Sequence, residues 1–432
     1  METLRFGSNG PMVEYLQLAL TRAGYNPGQI DGIFGRRTLS ALEAFQRSNG
    51  LAVDGIAGRN TWAALFPYLT GYTVHVVRSG DTLFSIASAY NTTVSALRTA
   101  NPSVQPDNLA VGSELTVPLP FSVVSAQVRY SYFYTMLVLD GLTARYPFLR
   151  METIGASVMG KRIVSVAIGT GARSVSYNAS HHANEWITTP VLLKFAEEYA
   201  AAYVAGNAIG DVPAGAAYEK STLYLVPLVN PDGVDLVTGA LAESSSYYLR
   251  ARALASYYSN IPFPSGWKAN ISGVDLNLGY PANWERAREI KFAEGYTQPG
   301  PRDYVGSAPL AEPENRAMAD FTNKLDFQLT LSYHTQGQVI YWKYLDYEPA
   351  GSRAIGEAFA KVSGYALEET PYASGFAGYK DWFIETTDRP GYTIEAGVGT
   401  SPLPISQFPE IYRDNLGILS LGMVLSPSSV VY

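Results

Sequence analysis

The sequence predicts an α/β domain with a mainly parallel or mixed central sheet and flanking helices, preceded by a small all-α module and a βααβ module. Three observations predict it. A five-residue echo, DGIFG at 31–35 and DGIAG at 54–58, punctuates a helical stretch. Residues 72–118 read as strand, helix, helix, strand. Beyond residue 120, apolar β-branched or aromatic runs alternate with helical patterns. A chain of 432 residues suits two or three domains. Its hydrophobic content of 47% marks it as globular rather than disordered.

In residues 1–70, Val13, Leu16 and Leu20 have helical spacing, as do Thr38, Leu42 and Phe45. Glycines mark the turns between them, and each echo is followed by a threonine able to start a helix. In residues 71–119, YTVHVV alternates as a short strand and carries His75, read as structural. SGDTLFSIASAY opens with Asp81 as an N-cap candidate. TVSALRTAN is a second helix stopped at Asn101-Pro102, and ELTVPL closes the unit as a strand. In residues 120–432, RIVSVAIGT, SVSYNAS, TLYLVPLVN, FQLTLSYH and YTIEAG read as buried strands. WITTPVLLKFAEEYAAAYVAG reads as a long helix.

Several function classes drop out. The chain has no cysteine, which removes disulfide scaffolds, thiolate metal sites and cysteine nucleophiles. The net charge is −7, with +1 on residues 1–70 and −1 on 71–120, so the acidity lies in the last segment. An acidic chain without a basic stripe argues against nucleic acid as a partner. No apolar run approaches the ~20 residues of a membrane span. The start, METLRFGSNG, lacks the basic-then-apolar pattern of a secretory signal.

Two of only four histidines sit in HHANEW at 181–186. Without cysteine, a zinc site that performs chemistry draws three ligands from His, Asp and Glu and keeps one position open. His182 and Glu185 are three apart at a strand–helix junction, so one turn brings both to one side. His181 with Glu185, four apart, is the competing pair. His334 ends the strand LTLSYH, and ligands gather at the carboxyl ends of strands in α/β sheets. HxxE alone is a weak motif; the strand-end histidine strengthens it.

These residues carry resemblances. LRFGSNGPMVEYLQLALTRAGY with the two echoes resembles the helical peptidoglycan-binding domain. VRSGDTLFSIASAYNTTVSALRTANPSV is similar to a LysM domain, which binds N-acetylglucosamine of glycan chains. HHANEWITTP, NPDG, GVDLN, SYHTQG and YTIEAG resemble the zinc carboxypeptidases of the carboxypeptidase A type over about residues 125–425. That resemblance implies one zinc ion on His182, Glu185 and His334, and decides against His181. It implies Glu395 as general base and acid, consistent with a carboxylate on a buried strand shuttling a proton. Lys268, after Trp267, stands where an oxyanion-stabilising arginine is usual and can serve as a point charge. Tyr372 matches the tyrosine that contacts bound peptide.

Departures from the pattern bear on specificity. The Asn-Arg pair that holds a terminal carboxylate reads Asn277-Leu278, so the bidentate clamp is missing. Arg286 is one possible replacement. Asn184 also stands in place of an arginine. WKANISGVDLNLGYPANWERAREIKF and PGPRDYVGSAPLAEPE are similar to the branch that cuts γ-D-glutamyl–diamino acid bonds in peptidoglycan stem peptides. The resemblance therefore implies glycan and stem peptides as partners and a cell-wall or spore location, reached from a mother-cell cytoplasm or by non-classical export. Lys380, before Asp381-Trp382, has two readings of equal standing: it pairs with the far carboxylate of diaminopimelate, or it points to solvent or neutralises Asp381. Two alternatives are a muropeptide carboxypeptidase requiring a free C-terminus, and a non-catalytic wall-binding protein.

Overall fold

A computed structural model describes Met1–Ser429. The chain divides into two compact units, residues 1–129 with 133–150, and residues 130–132 with 151–432.

In the first unit, helices Pro11–Arg22, Arg36–Ser48 and Arg59–Thr70 bury Leu16, Leu20, Phe45 and Leu65. The echo has a structural cause. Gln17 Nε2 donates to Asp31 Oδ1 at 2.9 Å and to Thr38 Oγ1 at 3.2 Å. Gln46 Nε2 repeats this with Asp54 at 2.9 Å and Thr61 at 3.2 Å. The backbone N–H groups of Gly32 and Gly55 donate to the same two amide oxygens. Thr38 and Thr61 therefore do not start their helices. They lie in the third helical position, behind Gly35 and Gly58 at the N-caps, and satisfy buried amides.

The next stretch pairs strands Tyr72–Val76 and Glu114–Pro118 antiparallel, with helices Leu83–Ala89 and Val94–Ala100 between them. Leu83, Ile86, Leu97, Leu115 and Val117 form its core. The N-cap is Thr82 in a capping box with Ser85, not Asp81. Asp81 is drawn off by His75, whose Nε2 lies 2.8 Å from its carboxylate. Asn101 ends the second helix, donating to Leu97 O and Thr116 O, both at 2.7 Å.

The second unit holds an eight-stranded mixed sheet. Its order is Ala366–Glu368, Val339–Tyr341, Gly391–Glu395, Phe327–His334, Arg173–Ala179, Ser221–Val226, Arg162–Ile168 and Arg150–Ala156. The middle four strands run parallel. Val339–Tyr341 and Arg162–Ile168 are antiparallel to their inner neighbours. The middle strands are mostly buried, polar residues such as Ser176, Asn178 and Thr330 included. Helix Thr188–Ala205 ends at Gly206, whose φ of 69° the absent side chain permits. Helix Phe408–Val424 packs close enough for the Tyr177 hydroxyl to donate to Leu419 O. The α/β expectation is borne out. Its consequence for function is that Ala179, His334 and Glu395 end neighbouring parallel strands at one sheet edge.

Candidate metal centre and cleft

His182 and Glu185 bracket the 3-10 turn Ala183–Glu185 that follows strand Arg173–Ala179. The turn is fixed from several sides. Ala183 N donates to Lys268 O, and the Thr188 hydroxyl to Glu185 O. His334 comes from the next strand, in register with Glu395 on the strand beyond it.

Donor atoms of three residues converge. His182 Nδ1 lies 2.9 Å from Glu185 Oε1, and His334 Nδ1 lies 2.9 Å from Glu185 Oε2. The two Nδ1 atoms are 3.1 Å apart. Ligands on one tetrahedral zinc, at bond lengths of ~2.0–2.2 Å, stand about 3.3–3.6 Å from one another. The trio suits such an ion after a small outward shift. The donor set of two imidazoles and one carboxylate also suits it. Behind it, Asp275 Oδ1 lies 3.0 Å from His182 Nε2. That contact keeps the proton on Nε2 and leaves the Nδ1 lone pair for a cation. Among the described residues, His182, Glu185 and His334 form a group able to hold a metal ion.

Burial and the two carboxylates set the electrostatics of the site. Burial disfavours charge on His182, yet the Glu185 and Asp275 carboxylates overcome it and push its pKa up to about 9. For His334, burial prevails and lowers the pKa. Burial also works against the charge on Lys268, but Glu185, 3.3 Å away, and Asp275 raise its pKa. Glu395 is pushed up to about 8, first by burial and then by the Glu185 charge.

A cleft of about 210 Å³ opens beside the trio, lined by His182, Lys268, Asn277, Leu278, Lys380 and Glu395 among others. Most of the expected residues meet there. Asn277 Oδ1 accepts from Tyr379 N, and its Nδ2 has no partner among the described residues. Lys380 lines the wall, but its charge is not free. Three oxygens lie within reach of its three N–H groups: Asp381 at 2.6 Å, Lys343 O at 2.6 Å and Thr370 Oγ1 at 3.2 Å. Tyr372 stands outside, 62% exposed, with its hydroxyl accepting from Arg286 Nε. Arg286 is likewise away from the cleft lining and also pairs with Glu289. His181 turns from the trio to Tyr280, 3.0 Å away, and burial holds its pKa well below the ordinary value. Asn184 is buried beside the trio.

Sequence reasoning missed Asp275, although GVDLN carries it two residues before Asn277. It also missed Arg302 and Asp303, which line the cleft from the loop after Pro301.

Comparison with known proteins gives three matches along the chain. Residues 136–417 match the zinc carboxypeptidase family, 9–65 a peptidoglycan binding domain and 75–118 a LysM domain. Gamma-D-glutamyl-L-diamino acid endopeptidase 1 of Lysinibacillus sphaericus is 45% identical over 307 residues, 71% of this chain and 75% of that protein. The uncharacterized protein YqgT of Bacillus subtilis is 40% identical over 276 residues, 63% of this chain and 72% of that one. Bovine thrombin-activatable fibrinolysis inhibitor shares the fold, with a TM-score of 0.51 at 17% identity over 71% of this chain and 98% of its own. No helix among the described residues is long and apolar enough to cross a membrane.

Proposed function

The chain belongs to the zinc carboxypeptidase family, and from that premise we propose that it hydrolyses the bond between γ-D-glutamate and meso-diaminopimelate, or lysine, in peptidoglycan stem peptides. One observation carries the reading: His182 of the buried His182–Glu185–His334 trio lines the same cleft as Glu395, while the clamp position for a free C-terminus is the apolar Leu278. Leucine offers no donor to a terminal carboxylate, which favours an internal bond. The Lysinibacillus relative's name supports the bond type, and the two N-terminal matches support a wall substrate.

In this reading His182, Glu185 and His334 hold one zinc ion per chain, which supplies Lewis acidity and lowers the pKa of water to ~7. Glu395 takes the proton from the attacking water onto a carboxylate oxygen and delivers it to the leaving amine nitrogen. The Lys268 ammonium faces the charge that develops on the carbonyl oxygen. Asn277 offers its Nδ2 to the peptide, and Tyr372 reaches it only by swinging inward from the rim. Lys380, engaged with Asp381, shapes the cleft wall.

The division of labour is a helical wall-binding module (1–70), a LysM module (71–119) and a catalytic segment (120–432). Residues 120–129 and 133–150 lie beyond that last boundary yet fall in the first compact unit. Tethering to glycan raises the local concentration of stem peptide without changing the chemistry. The protein then works at the cell wall or spore.

The test is digestion of purified sacculi by the full chain, followed by mass spectrometry, with and without chelator. Oligomers of N-acetylglucosamine should slow release from sacculi and leave cleavage of soluble tripeptide unchanged. Cleavage indifferent to chelator would contradict the reading.

A further inference from the structure

The cleft contains a cation that nothing in the preceding scheme uses. Arg302 lines it, and its side chain is 41% exposed. A guanidinium carries five N–H donors in a planar fork. One of them, on Nε, is spent on Asp303 Oδ2 at 2.6 Å. The other four have no partner among the described residues. The remaining lining cations are more fully engaged. Lys380 has three oxygen partners, as described above. Lys291 is bonded to Glu294 at 2.9 Å and is only 9% exposed.

Arg302 is also well held. Pro301 O accepts from both Lys268 N and Ala269 N, so Arg302 directly follows the residue that pins the Lys268 backbone. Asp303 adopts a left-handed φ of 62°, a region that aspartate tolerates better than most side chains. In that conformation its N–H donates to Asp275 Oδ2 at 3.2 Å, while its carboxylate meets Arg302 and lies 3.5 Å from Lys291. The loop bearing Arg302 is thereby tied to the carboxylate that holds His182. Arg302 and Lys268 line the same cleft, and the two terminal nitrogens of the fork have no partner among the described residues.

We propose that Arg302 is a specificity residue that receives a substrate carboxylate through its two terminal nitrogens, in the first instance the free α-carboxylate of the γ-linked glutamyl residue. This inference rests on the reading of the site as a γ-glutamyl peptidase. A γ linkage consumes the side-chain carboxyl and leaves the α-carboxylate free on the acyl side of the cut bond. An ordinary α-linked glutamate has no anion at that place. A bidentate fork matches a carboxylate and discriminates by position as well as charge. The carboxylates of the diamino acid offer the same chemistry, so the test separates the sources.

The experiment compares the zinc-loaded full chain and its Arg302→Gln variant on four peptides. These are L-Ala-γ-D-Glu-meso-diaminopimelate, the same peptide amidated at the glutamyl α-carboxyl, and two versions amidated at one or the other diaminopimelate carboxyl. On the parent peptide, Arg302→Gln should lower kcat/KM by about 10- to 100-fold. On the peptide lacking the carboxylate that Arg302 receives, wild type and variant should converge. Convergence on the glutamyl amide supports the proposal as stated. Convergence on a diaminopimelate amide keeps the carboxylate role and moves it to the leaving side. Calorimetric binding of the parent peptide to Glu395→Gln, with and without Arg302→Gln, should show the same loss in affinity, at unchanged zinc content. Equal variant-to-wild-type ratios on all four peptides would overturn the inference. If wild type cleaves while Arg302→Gln matches it throughout, only the inference falls. A wild type inert towards every γ-glutamyl peptide would bring down both.

Discussion

Asp275 stands behind His182: its Oδ1 lies 3.0 Å from Nε2, on the side of the ring away from Glu185. The carboxylate fixes the imidazole tautomer and orientation, so it acts on the metal without touching it. His182→Ala and His334→Ala should lose zinc and activity together. Asp275→Asn should retain all three ligands yet weaken zinc binding by about 10- to 100-fold. Competition with a zinc chelator measures the affinity, and wild-type affinity in Asp275→Asn would count against this role.

Glu395→Gln separates metal binding from proton transfer. The variant should bind about one zinc per chain while turnover falls by roughly 10²- to 10⁴-fold. Metal analysis beside steady-state kinetics checks both halves. Near-full activity would mean that another group takes the proton.

Glu314 gives the fold a pH dependence distinct from that of the site. Burial pushes its pKa up to about 7, against hydrogen bonds from Val158 N and Asn270. The folded state therefore prefers the protonated carboxyl. The stability it contributes is full below the ordinary value of 4.5 and is lost as pH rises through about 7. Between pH 5 and 8 the loss is about 2–3 kcal/mol. Urea unfolding of wild type and Glu314→Gln at the two pH values should show the variant gaining by about that much relative to wild type. Parallel pH profiles would contradict the assignment.

Lys380 and Asp381 form a buried ion pair, each side chain 4% exposed. Lys380→Met should cost ~3–5 kcal/mol by leaving Asp381 uncompensated, and adding Asp381→Leu should restore most of it. Denaturant unfolding of the single and double variants measures the recovery. If Lys380→Met instead left stability unchanged and lowered only diaminopimelate cleavage, the lysine would be reading substrate.

What the sequence made legible follows from what is local. The helical spacing of Val13, Leu16 and Leu20 and the apolar run FQLTLSYH report burial directly, so elements and class were readable. HxxE and a strand-end His334 were readable because each sits at a recognisable junction. The echo was visible but its purpose was not, since Gln17 reaches Thr38 across 21 residues. Asp81 and Thr82 are both good caps by residue type, and only the long-range claim of His75 on Asp81 decides between them. Asp275 and Arg302 reach the site from loops whose local sequence has no period to betray them. The adjacency of Lys380 and Asp381 left a substrate partner and a local ion pair equally open; the contacts with Lys343 O and Thr370, distant in sequence, were not legible.

The most direct test of the central claim is the isotopic composition of the products from L-Ala-γ-D-Glu-meso-diaminopimelate digested by the zinc-loaded chain in ¹⁸O-water. The account predicts two products, L-Ala-D-Glu carrying one ¹⁸O in its γ-carboxyl and unlabelled diaminopimelate, with no release from a chelated sample. Cleavage at the L-Ala–D-Glu bond, or an intact tripeptide beside fully metallated enzyme, would contradict it.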